Sequence, residues 1–264
     1  MCKRHARMRD VLQLFGREHL GWGELDVAEQ AGGRTAGAIC VGADGPDGVR
    51  IFKADLPVPN EDACGAIDDD DATLLVVADG HRGHRSSHLL VEGVLQQPVP
   101  RDPLGLLSML RELVRVHEER DASASTLLLA VWSRGRGRGF GVSYGDSTMA
   151  VLSRSKPPVI ATRKNDRYVS PWHPHTLDPM RALEFEFSIP EDGVAVAFTD
   201  GIDECCYGAP ERSLDVGHLW GLLEESGGAV DSGSYARDLA NAALRGVGGN
   251  PGGQDNLAIV ATRP

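Results

Sequence analysis

No stretch of the 264-residue chain approaches the roughly 18 consecutive apolar residues that a membrane-crossing helix requires, so no transmembrane span is expected. A secretion signal is missing too. The N-terminal segment is basic, Arg17 and Glu18 cut its apolar run short, and no small-residue cleavage site follows, which predicts a mature terminus in the cytoplasm. Cysteine is scarce: Cys2, Cys40, Cys64, Cys205 and Cys206 are odd in number and share no spacing. That excludes a disulfide framework and fits free thiols in a reducing compartment. The vicinal pair Cys205–Cys206 lacks the C-x-x-C spacing of zinc or thioredoxin chemistry. Positive charge is in short supply, with 27 Lys and Arg against 38 Asp and Glu and a formal net charge of −11. Such a chain binds a polyphosphate backbone poorly unless its few cations cluster, so no nucleic-acid partner is expected. A Gly-X-Y period, a repeat of fixed length and a Pro/Ser linker are all absent. One soluble domain over residues 1–264 is expected, with residues 1–30 as a helical extension and a monomeric state. A chain of this length buries a sizeable core without disulfide or metal support.

What the chain does have is strand-forming sequence. Ala36–Val41, Val49–Phe52, Ala63–Ile67, Thr73–Ala78, Thr126–Trp132, Phe140–Tyr144, Thr148–Ser153, Leu183–Ile189, Val194–Thr199 and Leu257–Thr262 all read as strands. Leu183–Ile189 alternates apolar and polar residues, as a strand with one wet face does. Leu74–Ala78 and Val194–Phe198 are continuously apolar, which predicts burial on both faces. Helical spacing marks Ser86–Gln97, Pro103–Glu119, Leu214–Glu225 and Tyr235–Leu244, and a further helix is expected near residues 5–20. Strands in groups with helices between the groups predict an α+β fold with antiparallel sheets. Arg134–Gly139 reads as a solvated hairpin loop, with an RG nucleic-acid segment as the alternative. Asp68–Asp71 lacks the Gly and distal Glu of a calcium loop and reads as a charged turn.

The informative feature is where the acidic residues fall. Asp79-Gly80 and Asp200-Gly201 end two buried strands, and Asp146 ends a third. Asn60-Glu61-Asp62 and Asp255-Asn256 each precede a strand. One Asp-Gly is only a turn signal. Carboxylates that converge from five strand ends repel one another and demand a counter-charge, and hard divalent cations such as Mg2+ or Mn2+ suit an all-oxygen environment. His81, His84 and His88 share a helical spacing, which leaves open a solvated stripe, a zinc site or a catalytic His81. His173 and His175 fall in a loop.

The segment Ala78-Asp79-Gly80-His81-Arg82-Gly83-His84 resembles the Asp-Gly-His/Met-x-Gly signature of the type 2C metal-dependent protein phosphatases. Asn60-Glu61-Asp62, Ala124-Ser125-Thr126, Gly145-Asp146-Ser147, Thr199-Asp200-Gly201 and Asp255-Asn256 match further motifs in the family's order. Each is weak alone, but together they span residues 60 to 256. The resemblance implies a sandwich of two antiparallel β-sheets flanked by α-helices, αββα in layer order. It implies two Mn2+ or Mg2+ ions in a cleft at one end. Asp79 would bridge both, the Gly80 carbonyl would serve one, and Asp200 and Asp255 the other. Glu61 and Asp62 would hold the Gly80-side ion directly or through water. Asp146, with Asp200 and Asp203 or Glu204, would form a third, weaker position. The implied reaction is hydrolysis of a phosphomonoester by a metal-bridging hydroxide, without a phosphoenzyme, with Asp79 and His81 as catalytic residues and His81 as the general acid.

Three departures bear on the substrate. Pro57 stands where many members carry an Arg, four residues before the Glu, that grips the phosphate. Proline brings neither charge nor donor. Arg82 and Arg85 are the replacement candidates, ahead of the more distant Lys53. Thr148 replaces an Arg after Gly-Asp-Ser, and residues 147–199 leave little room for a large flap. A bacterial-type signalling phosphatase acting on phosphoserine or phosphothreonine proteins is the first expectation. A small-metabolite phosphatase of the same fold and a non-catalytic pseudophosphatase that serves as a regulatory binding module are the alternatives.

Overall fold

The computed structural model describes residues 9–43, 53, 56–113, 121–206, 209–226 and 231–264. Its two main sheets are six-stranded, and every pairing in them is antiparallel. The first runs in the order β1 (Asp10–Phe15), β4 (Ala63–Asp68), β5 (Ala72–Ala78), β8 (Leu127–Ser133), β9 (Arg138–Tyr144), β12 (Leu183–Phe187). The second runs β11 (Val159–Ile160), β10 (Thr148–Ser153), β13 (Gly193–Phe198), β14 (Leu257–Thr262), β3 (Thr35–Cys40), β2 (Asp26–Glu29). A two-stranded ribbon joins β6 (Gly80–His81) to β7 (Ala124–Ser125).

Side-chain alternation builds three apolar layers. Leu75 and Val77 of β5 meet Ala195 and Ala197 of β13 and Ala258 and Val260 of β14 between the sheets. Leu74, Val76 and Ala78 point the other way, onto α1 (Arg85–Leu95) and α2 (Pro103–Glu112). Val194, Val196 and Phe198 face α3 (Val216–Glu225) and α4 (Ser232–Arg245). Both faces of these strands are therefore dry, which is why their sequence is continuously apolar. The result is the expected αββα sandwich. β12 keeps Phe185 and Phe187 inside and Glu184 and Glu186 in water, as its alternation predicts.

The helix ends follow capping chemistry. Asp102 accepts from the Gly105 amide ahead of Pro103 at the start of α2, and Asp215 accepts from the His218 amide at the start of α3. Asp69 accepts from the amides of Asp71 and Ala72, so Asp69–Asp71 is a turn, while Asp68 is the last residue of β4. Arg134–Arg136 forms one short 3-10 turn in the β8–β9 loop, with Arg134 paired to Asp68.

The expected N-terminal helix is corrected where it is described. Residues 10–15 form β1, a short 3-10 turn follows at Gly16–Glu18, and β2 occupies Asp26–Glu29. Leu12 and Leu14 alternate with exposed Val11 and Gln13, and the two leucines complete the layer between the sheets. β1 instead pairs with the edge of β4, from Asp10 opposite Asp68 to Phe15 opposite Ala63. Val49–Phe52 and the end of Pro103–Glu119 fall outside the described residues. No described helix is long and apolar enough to cross a membrane.

Candidate metal centre

Antiparallel pairing brings distant acidic residues to one end of the sandwich. Ala63 opposes Ala78, so Asp62 and Asp79 emerge side by side. Thr148 opposes Phe198, so the turn carrying Asp146 meets the one carrying Asp200. One oxygen each from Asp79, Asp146 and Asp200 lies within 4.8 Å of the other two. Asp79 and Asp200 are buried, at 6% and 9% exposure. Burial first, and then mutual repulsion (chiefly from Asp200 for Asp79 and from Asp255 for Asp200), push both carboxyls well above the usual carboxylate range. Burial also raises Asp146.

The backbone beneath is held rigidly. The Asp79 amide donates to Thr126 Oγ1 at 2.9 Å, and the Asp79 carbonyl accepts from the Thr126 amide and from Ser125 Oγ. Thr126 Oγ1 also pairs with Ser147 Oγ at 2.7 Å, beside Asp146. These bonds account for the Ala124-Ser125-Thr126 motif. Gly80 is required because a Cβ there would lie 2.3 Å from the Glu61 carbonyl oxygen. Arg82 adopts a left-handed φ of 61°, an uncommon conformation for a side-chain-bearing residue, at the turn after His81.

Glu61, Asp62 and Asp255 line the adjoining side. Glu61 Oε1 accepts from the Gly83 amide and Oε2 lies 3.1 Å from Lys53 Nζ. Asp255 Oδ1 lies 3.3 Å from the same ammonium, which also donates to Asn256 Oδ1 at 2.7 Å. Burial opposes the charge of Lys53, yet Asp255 and Glu61 outweigh it and hold the pKa above the usual lysine value. Asp62 Oδ2 accepts from Thr199 Oγ1, and burial drives this carboxyl up to about 7 against the opposing pull of Lys53. Asp62 Oδ1 and Asp146 Oδ1 are buried without a hydrogen-bond partner among the described residues. Orphaned carboxylate oxygens beside three converging aspartates are a donor set suited to a hard divalent cation.

His81 is 38% exposed at its side chain, with Nδ1 3.5 Å from Asp79 Oδ2 and its ring against Tyr168 at 4.5 Å. His88 belongs to the core instead. Its Nε2 donates to the Asp62 carbonyl at 3.0 Å, and burial, with His84 beside it, pulls its pKa down to about 3. The ring is therefore neutral, and its buried Nδ1 has no hydrogen-bond partner among the described residues. The His81/His84/His88 spacing thus does not form a solvated stripe.

Arg82 is exposed. Arg85 turns to Asp121 at 3.7 Å and to the Trp172 ring at 5.8 Å. Lys53, ranked below them in sequence, is the cation seated against the carboxylates. At the opposite flank Lys164 Nζ lies 2.8 Å from Asp203 Oδ1 and 2.7 Å from Glu204 Oε1. Burial works against its charge, and the two carboxylates, Asp203 foremost, raise its pKa to about 12. Neither lysine stands in a motif; Lys53 is only the last-placed candidate from sequence, and Lys164 is revealed by the tertiary fold alone.

No protein-family model matches the chain, and no curated protein matches it at a significant level. Solved structures do. A bacterial serine phosphatase carrying an R161A mutation superposes with a TM-score of 0.61 at 15% identity, over 90% of this chain and 97% of that one. The catalytic domain of the serine/threonine phosphatase PstP, in complex with two manganese ions, gives 0.60 at 16%, over 90% and 99%. RsbX in complex with magnesium gives 0.56 at 14%, over 90% and 98%. The chain has the α+β sandwich fold of these bacterial phosphatases.

Proposed function

We propose that the chain is a metal-dependent phosphomonoester hydrolase acting on phosphoserine and phosphothreonine in proteins. One observation carries this reading: one carboxylate oxygen each from buried Asp79 and Asp200 and half-buried Asp146 converge within 4.8 Å on the strand ends of a phosphatase fold. Asp79, Asp146 and Asp200 would hold Mn2+ or Mg2+, with the Gly80 carbonyl, Asp255, Glu61 and Asp62 completing a two-ion centre. Ions bound there would supply Lewis acidity, lowering the pKa of an attacking water and screening the phosphoryl oxygens. Both structural neighbours named with metals carry ions of this class.

The protein's own groups do the rest. Thr126 and Ser125 fix the Asp79 backbone, so its carboxylate is preorganised. His81, solvent-accessible beside Asp79, donates the proton that the departing serine or threonine oxygen needs as its bond to phosphorus breaks. Lys53 takes the phosphate-facing role that Pro57 cannot fill, in preference to Arg82 and Arg85, because its ammonium sits at the centre on Glu61 and Asp255, which a bound ion would take over and so free it for the phosphate. A small phosphorylated metabolite is the second reading, favoured by Pro57 and the short 147–199 segment.

The test is p-nitrophenyl phosphate hydrolysis with and without Mn2+, in the wild type and in Asp200→Ala. Metal-dependent turnover that the variant loses supports the proposal. A folded wild type that turns over nothing with any divalent ion overturns it in favour of a pseudophosphatase.

A further inference from the structure

We propose that Lys164 is a built-in counter-cation that closes the Asp203–Glu204 flank of the centre to divalent ions. The inference rests on reading the Asp79–Asp146–Asp200 cluster as an ion centre, and it revises the third position expected from sequence, to which Asp203 or Glu204 would contribute.

The carboxylates at this end fall into two groups. Asp146 keeps a buried oxygen with no partner among the described residues, and it shares the converging cluster with Asp79 and Asp200. Asp203 and Glu204 are committed. A tight turn, closed by the Glu204 amide on the Asp200 carbonyl at 2.7 Å, sets both beside the cluster. Asp203 Oδ1 accepts from Lys164 at 2.8 Å, and its Oδ2 accepts from Thr148 Oγ1 at 3.1 Å. Glu204 Oε1 accepts from the same ammonium at 2.7 Å. An ion entering here would have to displace an ammonium from two carboxylates at once.

Access is not what excludes it. Lys164, Asp203 and Thr148 line a surface cavity of ≈ 590 Å³, and the lysine side chain is 37% exposed. The barrier is electrostatic, since an ion taking Asp203 and Glu204 has to compete with the ammonium that both already hold. Removing the ammonium leaves Asp203 and Glu204 as unneutralised neighbours of Asp146, a donor set for one more hard cation.

The experiment counts bound Mn2+ by electron paramagnetic resonance of the free ion, at neutral pH and without any phosphate ester. It uses the full chain as wild type, Lys164→Met, Lys164→Arg, Asp203→Asn and the double variant Lys164→Met/Asp203→Asn, with circular dichroism confirming the fold of each. Lys164→Met is expected to bind one ion more than wild type, and Lys164→Arg the same number as wild type. Asp203→Asn alone is expected to leave the count unchanged, while in the double variant the extra ion disappears. An unchanged count in folded Lys164→Met, or an ion lost in Asp203→Asn alone, overturns the inference while the ion centre stands. A wild type that binds no Mn2+ overturns the centre itself and this inference with it.

Discussion

Thr199 Oγ1 donates to Asp62 Oδ2 at 2.7 Å and accepts from the Ala258 amide at 2.9 Å, so one hydroxyl ties the end of β13 in one sheet to the start of β4 in the other. It sits between two candidate ligands, Asp62 and Asp200, and fixes the gap between them. Thr199→Val keeps the shape but leaves the buried Asp62 carboxylate and the Ala258 amide short of a partner. A loss of about 2–4 kcal/mol in ion-free stability is expected, since orphaned buried polar groups cost roughly 1–3 kcal/mol each. Urea denaturation of both proteins in chelator checks it, and equal midpoints would refute the linking role.

A pH dependence follows from the same cluster. Burial raises Asp62 to about 7, and lifts Asp79 and Asp200 well above their ordinary value. A carboxyl with a raised folded pKa favours the fold below its unfolded pKa and loses that contribution as pH climbs through the folded one. Ion-free protein is therefore expected to lose stability as pH rises from about 4 to 7, opposite to the usual trend for carboxylates in ion pairs. Mn2+, which binds the ionised carboxylates, should raise the melting temperature more at pH 8 than at pH 5. Thermal melts at several pH values, with and without the ion, read both slopes. An apo melting temperature that rises steadily over this range would contradict the cluster.

Much of this was legible in the sequence, for definite reasons. Leu74–Ala78 and Val194–Phe198 declare themselves because a strand dry on both faces has no polar position to spare. Asp79 and Asp200 stand out because each follows such a run and precedes a glycine. The edges were harder. β1 is half exposed and preceded by a basic segment, so its Leu12 and Leu14 alternation is too short to outweigh a helical reading. Lys53 ranks last among the sequence candidates and Lys164 is not among them, because their partners Asp255 and Asp203 arrive from other parts of the chain. A cation paired across the fold becomes visible only with tertiary structure.

Gly201 reports on how closely the ends of β13 and β14, neighbours in one sheet, approach. A Cβ at this position would lie 1.8 Å from the Asn256 carbonyl oxygen, a backbone atom that cannot swing aside. Asn256 in turn spans the site, donating from Nδ2 to the Val41 carbonyl and accepting at Oδ1 from the Glu61 amide and Lys53. Gly201→Ala should therefore move Asn256 as well as Asp200. A destabilisation of about 1–3 kcal/mol is expected from overpacking, together with at least a tenfold weaker Mn2+ affinity. Calorimetric titration checks the second part, and an unchanged affinity would show that the two strand ends move independently.

His81 is the last test, because its role separates leaving groups. Its side chain is 38% exposed while its buried Nδ1 lies 3.5 Å from Asp79 Oδ2, which sets the ring at the edge of the cluster, where the oxygen leaving a bound phosphorus would be protonated. An alkoxide leaving from phosphoserine needs a proton, whereas p-nitrophenolate departs without one. His81→Gln should therefore lower kcat on a phosphoserine peptide by about 10²–10⁴-fold, the usual worth of a general acid. The loss on p-nitrophenyl phosphate should be far smaller. Equal losses on both substrates would assign His81 to holding Asp79 instead of moving a proton.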